Sequence, residues 1–285
     1  MPANLSPTLR RRRLGRELRT LREASRMSAS AVAQAIGSNQ TKVSAVEGAR
    51  RKFTEAELGK VLTVVKAPPE KAEELRLLHQ QSDQLGWWDE YSDVLPDNIE
   101  LLVGLEEGAS WVRQYSEAFV PALLQTQHYA AAIISSAAPY QRSADMPRLV
   151  GFRLERQKKL TDPNFRYTAL VNEGALRRHV GGRDVMRDQL HSLLDGDYPS
   201  TVELHVLPFE SGEHPAQGQT FALISFPEPE DPEIVFVDMA SESGFLERQP
   251  EIRQHTSAFS VAMNKALDLD QSRQRITTIA NQMTT

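Results

Sequence analysis

Apolar residues recur at helical spacing through the first third of the chain. Leu14, Leu18 and Leu21 share one face of a helix that starts near Arg10, while Arg16, Arg19, Arg22 and Arg26 lie off that stripe. Ser28 is a good N-cap for a short second helix over 28–36, with Val32, Ala33 and Ile36 inward. Gly37 ends it, as a residue just past a helix terminus often does. Ser38 or Asn39 caps a third helix, 39–47, whose inner face is Val43 and Val46, and Gly48 ends that one. Thr54 caps a fourth with Leu58, Val61, Leu62 and Val65 at period 3.6. Pro68-Pro69 opens a fifth, roughly 69–85, striped by Leu75, Leu78, Ser82 and Leu85. Residues 1–9, with two prolines and few apolar side chains, predict a mobile tail.

Gly86-Trp87-Trp88, an acidic stretch and Pro96-Asp97-Asn98 predict a linker over 86–97 between a domain at 10–85 and another at 98–285. The second opens with helical text over 99–119, 125–138 and 147–160. Four β-rich runs follow, 165–171, 202–207, 221–226 and 234–239, with an amphipathic helix around 185–194 between the first two. The acidic run 227–233 reads as a hairpin loop, and 259–267 as a closing helix. The expected fold class is α+β: a five-helix N-terminal domain, then a mixed helical domain with a small β-sheet. No internal repeat is evident.

Charge sharpens this division. Residues 1–66 hold 14 Lys and Arg against five Asp and Glu, a formal +9, and the other 219 residues hold 19 against 33, a formal −14. A basic module attached to an acidic one points to nucleic acid for the first and away from it for the second. The Arg10–Arg13 run is either a phosphate-tracking arm or part of a disordered tail. The chain has no cysteine, which excludes disulfides, thiolate metal sites and cysteine nucleophiles. No apolar run approaches a membrane span and no secretion signal is visible, so a cytoplasmic protein, nucleoid-associated when bound to DNA, is expected.

The two short helices at 28–36 and 39–47 are joined by a tight turn at Gly37-Ser38. Their inner residues are small or β-branched, which lets them cross closely and leaves the second free to enter a major groove. Here the sequence resembles the phage-repressor (Cro/C1-type, XRE family) helix-turn-helix. The resemblance covers about residues 10–66 and rests on Arg22, Ser28, Ala33, Gly37, Gln40, Val43, Val46, Glu47 and Gly48-Ala49-Arg50-Arg51. It implies that 39–47 is the recognition helix, bound to double-stranded DNA. Gln40 matches a glutamine that reads adenine, and Thr41 and Ser44 occupy positions that face base edges. Asn39 and Lys42 are placed for phosphates, as are Arg50, Arg51 and Lys52 in the following loop, and Ser28 belongs to the same DNA-facing set. Arg22 and Glu47 match a partly buried ion pair. Ala29 and Ala45 are short where the family reaches further, which predicts fewer direct contacts.

Residues 100–280 resemble the uncharacterised C-terminal domain (DUF5753-like) that follows such a helix-turn-helix in many regulators of Streptomyces and other actinobacteria. The match runs through Glu107-x-x-x-Trp111, Val120-Pro121-Ala122-Leu123-Leu124-Gln125-Thr126, Arg153-x-x-Arg156-Gln157, Asn172-Glu173-x-Ala175-Leu176-Arg177 and Gln189-Leu190 to Val206-Leu207-Pro208-Phe209. It implies an antitoxin-like or developmental repressor controlled by a small co-encoded partner protein. A ligand-sensing repressor is the alternative. A homodimer is expected, with the interface on the 69–85 helix or the C-terminal domain. The seven histidines show no zinc-binding spacing. His205 and His214 near Glu203, Glu210 and Glu213 lack a nucleophile elbow or phosphate loop, so no enzyme, metal or cofactor is expected. Trp87, Trp88 and Trp111 read as packing residues.

Overall fold

The first helix starts earlier than its leucine stripe suggests. Ser6 caps it, its Oγ accepting from the Leu9 backbone N–H at 3.2 Å, and Pro7 takes the first helical position. A proline there gives up no helical hydrogen bond. In the computed structural model, which describes residues 6–136, 142–238 and 243–283, this helix is α1, Pro7–Ala24. The expected tail is thereby corrected at residues 6–9, where Leu9 is buried; its first five residues lie outside the described ones.

Contacts divide the chain into two compact units, one to Asp89 and one from Glu90. The first unit continues with α2 (Ala29–Ile36), α3 (Gln40–Glu47), α4 (Glu55–Val64) and α5 (Pro69–Gln81). Its core is the predicted set: Leu14, Leu18, Val32, Ile36, Val43, Val46, Leu58, Val61, Leu62, Leu75 and Leu78. Helix α5 ends at Gln81, four residues short of expectation. Ser82 is buried and its hydroxyl turns back onto the His79 carbonyl at 2.7 Å. Leu85 projects outward, 82 % exposed, and belongs to no stripe. Because Leu75 and Leu78 are spent on this core, the buried face of α5 is not available for a dimer interface.

The fold class is α+β, the second unit combining helices with a six-stranded mixed sheet. After α6 (Asp97–Glu107) comes the main correction to the sequence reading: 99–119 is not one helix. Trp111–Ser116 is a strand, β1, in the middle of the sheet. It pairs parallel with β2 (Arg166–Asn172) and antiparallel with β4 (Thr220–Ser225). Ladders on both sides take up its backbone groups, and its polar side chains find distant partners. Arg113 pairs with Glu233, and Gln114 accepts from the Tyr167 hydroxyl at 2.7 Å. Such long-range pairing outweighs local propensity.

The sheet continues with β3 (Val202–Leu207) beside β2, and with β5 (Ile234–Asp238) and β6 (Gly244–Leu246) beyond β4. The acidic segment 227–233 joins the antiparallel pair β4–β5, as expected of a hairpin. Strand β6 was not foreseen; Met239, at the expected end of β5, lies outside the described residues. Parallel neighbours are linked by helices: α7 (Gln127–Ser136) and α8 (Met146–Gln157) lead from β1 to β2, and α9 (Glu173–Arg177) and α10 (Arg183–Asp195) lead to β3. Residues 137–138 of the expected 125–138 helix lie outside the described ones, and 158–161 form a 3₁₀ turn after α8. The single closing helix becomes two, α11 (Gln249–Met263) and α12 (Leu269–Gln282). Helix α11 lays Ile252, Ala258, Phe259 and Ala262 on one sheet face, against Tyr115, Phe221, Leu223 and Val235. Ser272 of α12 accepts from the Val206 N–H at 3.0 Å and so covers the β3 edge.

Candidate nucleic-acid interface

Helix α3 is only eight residues long, so its orientation depends on what surrounds it. Three devices fix it. Gly37 adopts a left-handed φ of 73°, which turns the chain sharply from α2 into α3. The Ser38 N–H reaches back to the Ala33 carbonyl at 2.8 Å and closes that turn. Asn39 then caps α3, its Oδ1 accepting from the Lys42 N–H at 2.8 Å. Ser28 does the same for α2 through the Ala31 N–H at 3.1 Å. The side-chain oxygens of Ser28 and Asn39 are thus committed to helix starts, although both residues are exposed.

The second device is Gly15. A Cβ on this residue would stand 2.6 Å from the Val46 carbonyl oxygen and 2.7 Å from that of Glu47. No methyl group fits there, so α1 lies directly on the C-terminal end of α3. Sequence reasoning passed over Gly15; a glycine inside a leucine-striped helix was the available signal. The third device is the pair Arg22–Glu47. Arg22 Nε meets Glu47 Oε1 at 2.6 Å and Nη2 meets Oε2 at 2.9 Å. The same guanidinium donates to the Met27 carbonyl at 3.0 Å, which also ties down the turn before α2.

With Val43 and Val46 buried beneath, the opposite side of α3 presents Gln40, Thr41 and Ser44, all exposed. Beyond its end, Ala49 takes a left-handed φ of 58°, so the chain reverses at Ala49 rather than at Gly48. The Arg50 N–H closes the turn on the Ala45 carbonyl at 2.8 Å. Arg50 and Arg51 are exposed just past the helix. The two lysines of the predicted set are engaged within the unit. Lys42 Nζ meets Glu57 Oε1 at 2.5 Å, and this ammonium holds the Glu57 carboxyl below its usual range. Lys52 pairs with Asp83 and donates to the Ser82 carbonyl at 2.8 Å. Neither is a free cation in this conformation.

The Arg10–Arg13 run is neither a free arm nor a tail. It lies within α1, and Arg10 donates to the Gln81 carbonyl at 3.1 Å and to Gln84 at 2.7 Å.

Among the described residues no cluster of three metal-ligating side chains occurs, and no helix is long and apolar enough to cross a membrane. Residues 13–75 match the model of a helix-turn-helix domain. Residues 99–278, more than half the chain, match the model of a domain of unknown function, DUF5753. The chain belongs to the DUF5753 family. In this DUF5753 protein the family domain follows a helix-turn-helix DNA-binding domain, and the order agrees with the two units. No curated protein and no solved structure matches the chain.

Proposed function

We propose that this chain is a sequence-specific transcriptional repressor, antitoxin-like in its organisation, whose second domain receives the controlling signal. One observation carries the DNA-reading part. Gln40, Thr41 and Ser44 form an exposed row on a short helix that is fixed from behind by Gly15 and by the Arg22–Glu47 pair. A glutamine can meet adenine N6 and N7 together, and short hydroxyls suit either base type. Arg50 and Arg51 follow where a phosphate backbone runs beside such a helix. A homodimer reading half-sites about 34 Å apart suits a single short recognition helix.

The residues from 67 on carry a formal −14, so they are repelled by DNA rather than wrapped in it. A small co-encoded partner protein is the effector that the sequence resemblance favours, in a cytoplasmic actinobacterial setting. A small-molecule effector is the second reading, and a cavity of about 530 Å³ in the second unit favours it.

Selection of bound duplexes from a random library, followed by footprinting of the full chain, tests the proposal. A recovered two-fold symmetric site, bound at least about a thousandfold more tightly than random DNA, supports it. Binding that is equal on all sequences overturns it.

A further inference from the structure

The cavity lies on the face of the sheet opposite α11. Its floor is set by strand register: Gln114 of β1 stands beside Ala222 of β4, which stands beside Phe236 of β5. Helices α6, α7 and α8 and the 119–125 segment enclose it, and its walls are largely apolar. The volume falls within the range of sites that bury drug-sized molecules.

Two charged groups set it apart from a packing defect. The first is Arg153 of α8, walled in by protein with part of its surface open to the cavity. Its Nη1 donates to Gln125 Oε1 at 2.7 Å, and among the described residues no carboxylate comes within ion-pairing distance of it. Burial pushes its guanidinium down to about 10. The neighbouring Arg156, by contrast, is neutralised by Glu106 at 2.6 Å. Asp238 lines the same cavity, but it is exposed and accepts from Ser243 at 2.8 Å. The second group is Glu106 itself. It is 3 % exposed, Arg156 holds its Oε2, and its Oε1 is buried without a hydrogen-bond partner. A partly buried cation with no carboxylate partner and an unsatisfied buried carboxylate oxygen are both costly unless something completes them.

The polar residues are also held in place. Gln125 is anchored through Nε2 to the Val120 carbonyl at 2.7 Å. Gln157 Nε2 donates to the Gln125 carbonyl at 2.7 Å, and Gln189 Nε2 to the Leu124 carbonyl at 2.7 Å. This network fixes the 120–125 turn and, through Gln125, the position of Arg153. A fixed guanidinium at the end of an apolar chamber is matched to a planar oxyanion.

We propose that this cavity binds a small organic acid with an apolar body, its carboxylate taken by Arg153. The proposal deepens the small-molecule reading of control and rests on the second domain being the signal receiver.

Calorimetry on the full chain with octanoate and with 1-octanol tests it, the two probes differing at the head group. Octanoate is expected to bind at least about tenfold more tightly than the alcohol. Arg153→Gln abolishes that preference. Ala222→Phe fills the floor and weakens both probes at least about tenfold, whether or not the arginine variant folds. Equal affinity for the two probes, no binding of either, or full binding by Ala222→Phe overturns the proposal. Binding of the selected duplex is measured in parallel: a chain that binds DNA specifically but not octanoate loses the cavity proposal alone, and one that binds octanoate but no specific duplex loses the DNA reading alone.

Discussion

Arg22 of α1 and Glu47 at the end of α3 meet fork to fork, at 2.6 and 2.9 Å, with side chains only 13 % and 10 % exposed. Two parallel charge-assisted bonds hold the last turn of α3 against α1. Glu47→Ala leaves the largely buried guanidinium with the Met27 carbonyl at 3.0 Å and the more exposed Glu23 at 3.5 Å as its remaining partners. The expected loss is about 2–3 kcal/mol of unfolding free energy, measured by denaturant titration. A double-mutant cycle with Arg22→Ala should give clear coupling; additive losses would mean the two side chains act separately.

Gly15→Ala places a methyl group 2.6 Å from a backbone oxygen that has no flexible side chain to yield. We expect a loss of about 2–3 kcal/mol, or an α3 displaced enough to weaken specific DNA binding while nonspecific binding survives. An alanine variant as stable and as specific as the parent would show that α1 and α3 are not in close backbone contact.

Ala49 holds a left-handed conformation that alanine adopts only at a cost. Ala49→Gly relieves that strain and should raise the midpoint of thermal unfolding, by up to about 1 kcal/mol in stability terms. Gly48→Ala, at an ordinary φ of −89°, has no such strain to add. The pair of variants distinguishes which residue makes the reversal.

Gln40→Ala should cost about 1–3 kcal/mol in operator binding and relax the preference at one base position. Arg50→Ala and Arg51→Ala should weaken all duplexes alike, each lowering the slope of log affinity against log salt by about one. An unchanged slope would remove either arginine from the phosphate set.

Glu57 holds Lys42 and closes the capping box of α4 with Thr54. Its carboxyl is held below the usual range, chiefly by the Lys42 hydrogen bond. The stabilisation is therefore present above ordinary carboxylate values and lost as pH falls through the lowered one. Glu57→Gln keeps the cap but not the charge. It should flatten this acid limb of a stability profile, free Lys42 and steepen the salt dependence of DNA binding by about one. Unaltered salt dependence would mean that Lys42 stays away from phosphate even when released.

The helix-turn-helix was legible because its signals are local: Ser28, Gly37 and Asn39 act on their own neighbours, and the core residues repeat at helical period. Strand β1 was not, because Trp-Val-Arg-Gln-Tyr-Ser carries no clean alternation. Its polar residues answer to Glu233 and Tyr167, each more than fifty residues away. Helix α12 had a readable start in the capping box of Asp268 with Gln271, overlooked beside the apolar run of α11. Gly15 and Ala49 show the limit for the candidate site: what matters at both is backbone approach or backbone φ, and residue type only hints at either. The cavity was invisible, since Gln125, Arg153 and Glu106 meet only once the sheet and α8 are assembled.

The end of α5 gathers bonds from distant parts of the first unit. At this one place Arg10 of α1 reaches the Gln81 carbonyl, His79 Nε2 lies 2.7 Å from the Phe53 carbonyl, and Lys52 reaches the Ser82 carbonyl. These bonds tie α1 and the end of α5 to the loop that follows α3. Lys52 and Phe53 sit directly after the arginines that follow that helix. A change at the end of α5 therefore reaches both the loop behind α3, through Lys52, and the core of the unit, through Phe53.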